Sequence, residues 1–307
     1  MNNITKFIRQ PRRIINYVLY HTAPLWPDKL YLSLRFFSLY GYRINWEHPQ
    51  TFSEKLNWLK LYDRKPIYHQ MVDKAESKKL IDKMLGECRT VPTLGVYDSF
   101  EQIDWAALPN QFILKATHDS GSYYIVNDKK LVDLNSAQKT LYVHWYKDYY
   151  YYGREWQYKG LKKRIIAEPL IAKPEKLREF KIFCFNGEPK FYQLCLDRNR
   201  DFGGSIVQFV SLDGKLLDIK ESSYNSRTTD NNNLTSLYIE KMISIATRLA
   251  ENTFFLRVDF FDTGDQFYIG ELTLHESSGF CELTPDRWNR VLGDWIKLPT
   301  DLNNRLK

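Results

Sequence analysis

The sequence predicts an α+β fold of antiparallel sheets packed by helices, and two observations predict it. Apolar strand-like runs come in pairs joined by tight-turn residues, Asn186-Gly187 and Thr263-Gly264-Asp265 among them, and such pairs fold as hairpins. Helical stretches with clear start signals lie between these pairs rather than alternating with single strands. That order suits α+β lobes and not a doubly wound parallel sheet.

The first fifty residues are basic and aromatic, with Arg9, Arg12, Arg13, Lys29, Arg35 and Arg43 among Ile14, Ile15, Leu19, Tyr20 and Phe36. Pro11, Pro24 and Pro27 divide them, so one or two short helices on the body are expected, the alternative being a patch that rests on an anionic membrane. Thr51 with Glu54 reads as a capping box opening a helix whose apolar face is Phe52, Leu56, Leu59 and Tyr62. Asp73 with Glu76 repeats the device before Ala75, Leu80, Ile81, Met84 and Leu85, and Gly86 stops that helix. Strands are expected at 111–115 and 123–126 around the polar turn His118-Asp119-Ser120-Gly121-Ser122, and again at 164–170, 180–185 and 190–196. A third helix from Leu234 to about Ala250 carries Leu234, Tyr238, Met242, Ile245 and Leu249 on one stripe. The hairpin 255–261 and 266–272 follows it. The run 145–158, WYKDYYYYGREWQY, reads as an exposed aromatic loop or lid.

Composition bounds the function. A chain of 307 residues with 43% hydrophobic content buries a large core, which excludes disordered and fibrous architectures. Cys88, Cys184, Cys195 and Cys281 stand far apart, arguing against a disulfide framework or structural zinc and for a reducing compartment. The apolar runs are short and broken by charge, and no leader-like stretch is seen, so a cytoplasmic protein is expected. The net charge of +7 is modest for this length, and a large enzyme is expected rather than a nucleic-acid binder. Aromatic content of 15% allows stacking on sugars, though it serves equally as core.

Signatures of P-loop enzymes, dinucleotide oxidoreductases, serine hydrolases and zincins are missing, as is the Asp-x-Asp clamp of many glycosyltransferases. What remains is Arg257-Val258-Asp259, then a hairpin, then Gly270-Glu271-Leu272-Thr273. Pairing of the two strands brings the carboxylates of Asp259 and Glu271 within several Å. Such a pair repels itself unless a cation lies between, and Mg²⁺ shared with phosphates suits it. Pairing of Asp259 with Arg257 or Arg248 is the alternative. Lys115 ends an apolar strand beside the Asp119–Ser122 turn, a placement able to neutralise polyphosphate or simply a solvated strand end. Glu168, before Pro169-Leu170-Ile171, either borders a base or marks a strand-to-loop transition.

The order of these phrases carries a resemblance. Lys74, Lys115, Glu168, Asp259 and Glu271 in this succession resemble the ATP-grasp superfamily. The phrases Phe52-Ser53-Glu54-Lys55-Leu56-Asn57-Trp58, Phe112-Ile113-Leu114-Lys115, Glu168-Pro169, Phe185-Asn186-Gly187, Asp197-Arg198, Arg257-Val258-Asp259, Gly270-Glu271-Leu272-Thr273 and Ser278-Gly279 resemble its TupA-like branch, linked to teichuronopeptide and capsular polysaccharide synthesis. The resemblance implies an ATP-grasp fold, two α/β lobes with antiparallel sheets clamping a nucleotide, after a helical N-terminal region. Divisions are expected at 1–50, 51–105, 106–168 (the lid lobe), 169–299 (the lobe with the metal site) and 300–307.

It also implies residue roles. Lys74 and Lys115 would contact ATP phosphates, with His118 and Gly121 in the adjoining turn. Glu168 and Leu170 would border adenine, and Glu179 or Lys181 would meet ribose or phosphates. Asp259 and Glu271 would hold Mg²⁺, and Arg257 would steady the reacting phosphate. Thr273 stands where many of these enzymes carry Asn, with His275 and Glu276 just beyond it. The implied activity is carboxylate–amine ligation through an acyl phosphate, joining an amino acid to a uronic-acid-containing polysaccharide or lipid-linked precursor, with lids at Gly121 and 145–158. A capsule or O-antigen glycosyltransferase is the competing expectation, and a non-catalytic binding protein the third. Work at the inner membrane face, by peripheral contact through the residues before His48, goes with the first two.

Overall fold

The computed structural model describes residues 12–173, 176–197, 206–222 and 234–299. Arg9, Pro11, Arg198 and the segment 300–307 lie outside these described residues.

Helices α1 (Arg13–His21) and α2 (Asp28–Tyr40) precede α3 (Phe52–Tyr62), α4 (Ile67–Val72) and α5 (Glu76–Leu85). Then come β1 (Gly95–Tyr97), β2 (Phe112–Ala116), β3 (Tyr123–Val126), α6 (Leu134–Leu141), α7 (Tyr150–Gly153) and β4 (Ile165–Pro169). The remainder holds β5 (Arg178–Phe185), β6 (Glu188–Asp197), β7 (Ile206–Ser211), β8 (Leu216–Leu217), β9 (Lys220–Glu221), α8 (Ile239–Ala250), β10 (Phe255–Asp262), β11 (Phe267–Thr273), β12 (Leu283–Thr284) and α9 (Arg287–Trp295).

The Thr51–Glu54 capping box forms, but at Asp73 only half of the device does, because the Glu76 carboxylate turns to Arg164 and Lys79. Thr51 Oγ1 accepts from the Glu54 amide while Glu54 Oε2 accepts from the Thr51 amide at 3.0 Å. Asp73 Oδ1 accepts from the amides of Ala75 and Glu76 at 2.9 and 3.0 Å. Asn186 and Gly187 both take left-handed φ, +49° and +84°, which turns β5 straight into β6.

The strands make a small sheet, β1-β4-β2-β3, and a large one, β11-β10-β5-β6-β7-β8, with β12-β9 as a separate pair; every strand pair in them is antiparallel. The expected α+β class is the one found. Alternation divides the large sheet into two faces. Phe180, Ile182, Tyr192, Leu194, Leu256, Val258 and Phe260 pack on Met242, Ile245 and Leu249 of α8. On the other face Phe183, Phe185, Phe191 and Phe255 pack on Phe52, Leu56 and Leu59 of α3. Farther along the same strands, that second face turns polar at Glu179, Lys181, Arg257 and Asp259.

Two expectations are corrected. The third helix starts at Ile239, not Leu234, because the Leu234 carbonyl accepts from Tyr192 Oη and Ser236 Oγ accepts from the Tyr238 amide. Segment 145–158 is largely built into the body rather than exposed: Tyr146 is 86% exposed, but Arg154 is 1% exposed, donating to the carbonyls of Ala23 and Trp26 and stacking on Tyr31. Strands β1, β7 and β8 were not anticipated. The N-terminal stretch forms α1 and α2, which enclose Leu19, Tyr31, Leu32 and Phe36 against Phe280.

Candidate active site

The polar half of the large sheet is a cluster of charges built by strand register. Asp259 stands opposite Lys181 of β5 on one side and Glu271 of β11 on the other, and Arg257 opposite Thr273. Asp259 is wholly buried. It accepts from Arg257 Nε at 2.6 Å and Nη2 at 2.7 Å and from Lys181 Nζ at 3.0 Å. Burial alone would raise this carboxyl, but Arg257 and Lys181 overrule it and hold the group down at about 2. Arg257 also meets Glu276 at 2.5 Å and Glu271 at 3.3 Å, and Lys181 lies 3.5 Å from Glu179. Burial opposes the charge on both cations, yet their carboxylate neighbours keep both firmly protonated.

Four carboxylates therefore share two cations here, Glu179, Asp259, Glu271 and Glu276 against Arg257 and Lys181. The surplus of negative charge is the chemistry that a hard divalent cation would neutralise. Among the described residues no three His, Cys, Asp or Glu side chains are grouped as a self-sufficient metal cage. Mg²⁺ rarely needs one, since it keeps waters and binds through one or two carboxylates plus substrate phosphates. Asp259 and Glu271, with the Thr273 hydroxyl on the same strand face, fit that mode; the Glu271 side chain is 44% exposed and so open to an incoming ligand. Gly270 makes room for the arrangement. The register shifts between Asp259 and Phe260, and a Cβ on Gly270 would stand 2.7 Å from the Phe261 ring.

The small sheet contributes a second cluster. Glu168 on β4 lies beside Ile113 of β2, on the face that also carries Lys115, two residues along β2. Its carboxylate is bracketed by Lys115 Nζ and Lys78 Nζ, each at 2.5 Å. Burial raises the Glu168 carboxyl, but the two lysines prevail and hold it below its usual range. Burial lowers the Lys78 ammonium despite Glu168. Lys78, which closes the sequence phrase Asp73-Lys74-x-x-x-Lys78, was given no role from the sequence. Lys115 Nζ also sits 5.9 Å from the centre of the Phe261 ring, so its head faces the strand that carries Asp259. The Arg89 carbonyl joins the same neighbourhood by accepting from the Ile269 amide at 2.7 Å.

Lys74 has a backbone partner instead of an open aspect. Its Nζ donates to the carbonyls of Ala116 and Asp119, which ties the turn containing His118 and Gly121 to α5. His118 is buried beside Trp145, and burial keeps its imidazole neutral. Gly121 adopts φ +95° with nothing within 4 Å of where a Cβ would project. Leu170 follows directly after β4.

Glu276, also missed as an Arg257 partner, sits in a turn whose Ser277 and Ser278 take left-handed φ of +46° and +51°. Buried Lys60 holds this turn, donating to the carbonyls of Gly153 at 2.7 Å and Ser278 at 2.5 Å and to Asn57 Oδ1 at 3.0 Å. Burial pulls its ammonium well below the usual range, with Glu155 opposing. Ser278 Oγ donates to Glu155 Oε1, and Gln157 bridges Glu155 to His275, whose imidazole burial keeps neutral.

The fold is similar to D-alanine–D-alanine ligase from Helicobacter pylori, at 16% identity over 80% of this chain and 69% of that one, with a TM-score of 0.43. It is similar also to the Bacillus anthracis D-alanine–D-alanine ligase complexed with ATP, at 17% identity over 74% and 65%, TM-score 0.43. A third likeness is to D-alanyl-alanine synthetase A from Vibrio cholerae, at 15% identity over 82% and 67%, TM-score 0.43. No curated protein matches the sequence. The family model described as TupA-like ATPgrasp matches residues 54–297. The chain is thus an enzyme of the ATP-grasp class. Within that class it belongs to the TupA-like ATP-grasp family. Among the described residues no helix is long and apolar enough to cross a membrane.

Proposed function

We propose that the protein is an ATP-dependent carboxylate–amine ligase that joins an amino acid to a uronic acid of a cell-surface polysaccharide or its lipid-linked precursor. One observation carries the reading: an acid-rich cluster at Asp259 and a lysine pair at Glu168 belong to neighbouring sheets, with Lys115 above Phe261 between them. In this reading Lys115 and Lys78 turn from Glu168 to nucleotide phosphates, while Lys74 holds the His118–Gly121 turn in place against them. Glu168 and Leu170 border the adenine, and Glu179 and Lys181 meet ribose or phosphate. Asp259 and Glu271, with Thr273, hold Mg²⁺, which when bound would neutralise phosphate charge and polarise the transferred group. Arg257 stabilises charge on the phosphoryl group as it passes to the substrate carboxylate. The amine then attacks the acyl carbon, the C–O bond to phosphate breaks, and inorganic phosphate and the amine's proton leave as the amide forms, in a site that would have to exclude water.

The test is ADP release with ATP, Mg²⁺ and panels of uronic acids and amino acids. Stoichiometric ADP that needs both an acid and an amine is expected. UDP release from a sugar nucleotide without ATP would replace the ligase with a glycosyltransferase.

A further inference from the structure

We propose that the amine substrate is a zwitterionic α-amino acid and that it is held in a cavity between the N-terminal helices and the Glu276–Gly279 turn. This rests on the ligase reading and deepens it. The cavity, of about 330 Å³, is lined by Asn16, Arg35, Glu221, Ser277, Phe280 and Glu282 among others. Its wall carries one guanidinium and two carboxylates. A ligand with a single carboxylate and a single ammonium matches that pattern, whereas a uronic acid, with no cation, would meet more repulsion than attraction.

Arg35 bears the strongest sign of a missing partner. Its guanidinium lies 4.3 Å from the centre of the Phe280 ring and donates to the Tyr152 carbonyl. Its Nε is buried without a hydrogen-bond partner, and Arg35 forms no ion pair among the described residues. A guanidinium that lines a cavity and has no carboxylate partner among the described residues suits an incoming carboxylate. Glu221 is oriented on the facing wall by Ser277 Oγ, which donates to it at 2.6 Å.

The cavity also lies where an amine must arrive. Ser277 follows Glu276 directly, and the Glu276 carboxylate meets Arg257 at 2.5 Å, so consecutive residues belong to the cavity wall and the charge cluster. The left-handed φ of Ser277 and Ser278 is strain of the kind kept at ligand-clamping turns. Arg35 and Asn16 stand before the stretch 54–297 that defines the family. The N-terminal helices would therefore supply amine specificity to a catalytic unit shared with its relatives.

Titration calorimetry of the full chain with each common L-amino acid tests the assignment, with and without a non-hydrolysable ATP analogue. At least one is expected to bind, and its N-acetyl and amide derivatives to bind about tenfold more weakly or worse. Arg35→Gln and the surface change Glu282→Gln should each weaken that amino acid by about tenfold or more, with ATP affinity unchanged. Binding by none of them, or wild-type affinity in both variants, overturns the site. The ligase reading fails separately: an amino acid that binds as described but never supports ADP release with any acid leaves the cavity assigned and removes the ligase. ADP release with wild-type KM for the amine in both variants removes the cavity and leaves the ligase.

Discussion

Asp259 owes its ionised state to Arg257 and Lys181 rather than to water, because none of its surface is exposed. Asp259→Asn should lower kcat for ADP release by about a hundredfold or more while the circular dichroism spectrum stays folded, since removing a metal ligand forfeits several kcal/mol of transition-state stabilisation. Glu271→Gln, at a more open position, should cost similar activity with little change in stability. A rate within about tenfold of wild type for either would remove it from the metal site. The same ion pairs set an acid response. The carboxyl titrates at about 2 in the fold against 3.8 ordinarily, so on acidification the unfolded chain takes the proton first. The pairing is fully stabilising above that ordinary value, and its contribution is lost as pH falls through the folded one. Urea unfolding should therefore show a shallower acid loss in Asp259→Asn than in wild type, and equal slopes would contradict this. Asp259 and Glu271 were legible because a two-residue alternation and a tight turn fix their pairing. Glu276 was not, since its approach to Arg257 depends on a turn with left-handed serines that leaves no spacing signature. Lys78 stood in plain view four residues after Lys74, but which of the two would reach Glu168 depends on how α5 is rotated against the small sheet.

Gly270 links sequence to site at the level of the hairpin. Its missing side chain lets the Phe261 ring lie over β11, beneath Lys115. Gly270→Ala should push that ring aside, costing about 1–3 kcal/mol of stability as overpacking does and weakening ATP binding. Normal affinity together with a normal urea midpoint would show that the ring can move freely. The elements that could be read in advance were those governed by local chemistry: the capping box at Thr51, the Asp73 cap and the Asn186-Gly187 turn. Those that could not are governed by distant partners. Helix α8 loses its expected first turn to a hydroxyl from β6, and the 145–158 run is drawn inward by contacts between Arg154 and residues of the N-terminal helices. A local reading sees eight aromatic residues in that run and has no means of knowing that a wall awaits them.

At the scale of the whole molecule, two sheets carry opposite chemistry. The large sheet presents surplus carboxylate, the small one a lysine pair around Glu168, and the N-terminal helices close over the turn that bears Glu276. Each half is incomplete: lysines alone would take any anion, and carboxylates alone would take a cation weakly. In the proposed function, the two together would select a nucleotide with its metal. The most direct test is equilibrium titration of ATP, with and without Mg²⁺, into wild type, Lys115→Met, Glu271→Gln and the double variant. A single shared site predicts that Lys115→Met weakens ATP by about tenfold or more, that Glu271→Gln removes most of the gain from Mg²⁺, and that the two losses are not additive. Unchanged ATP affinity in Lys115→Met, or strictly additive losses with Mg²⁺ still fully effective in Glu271→Gln, would contradict it.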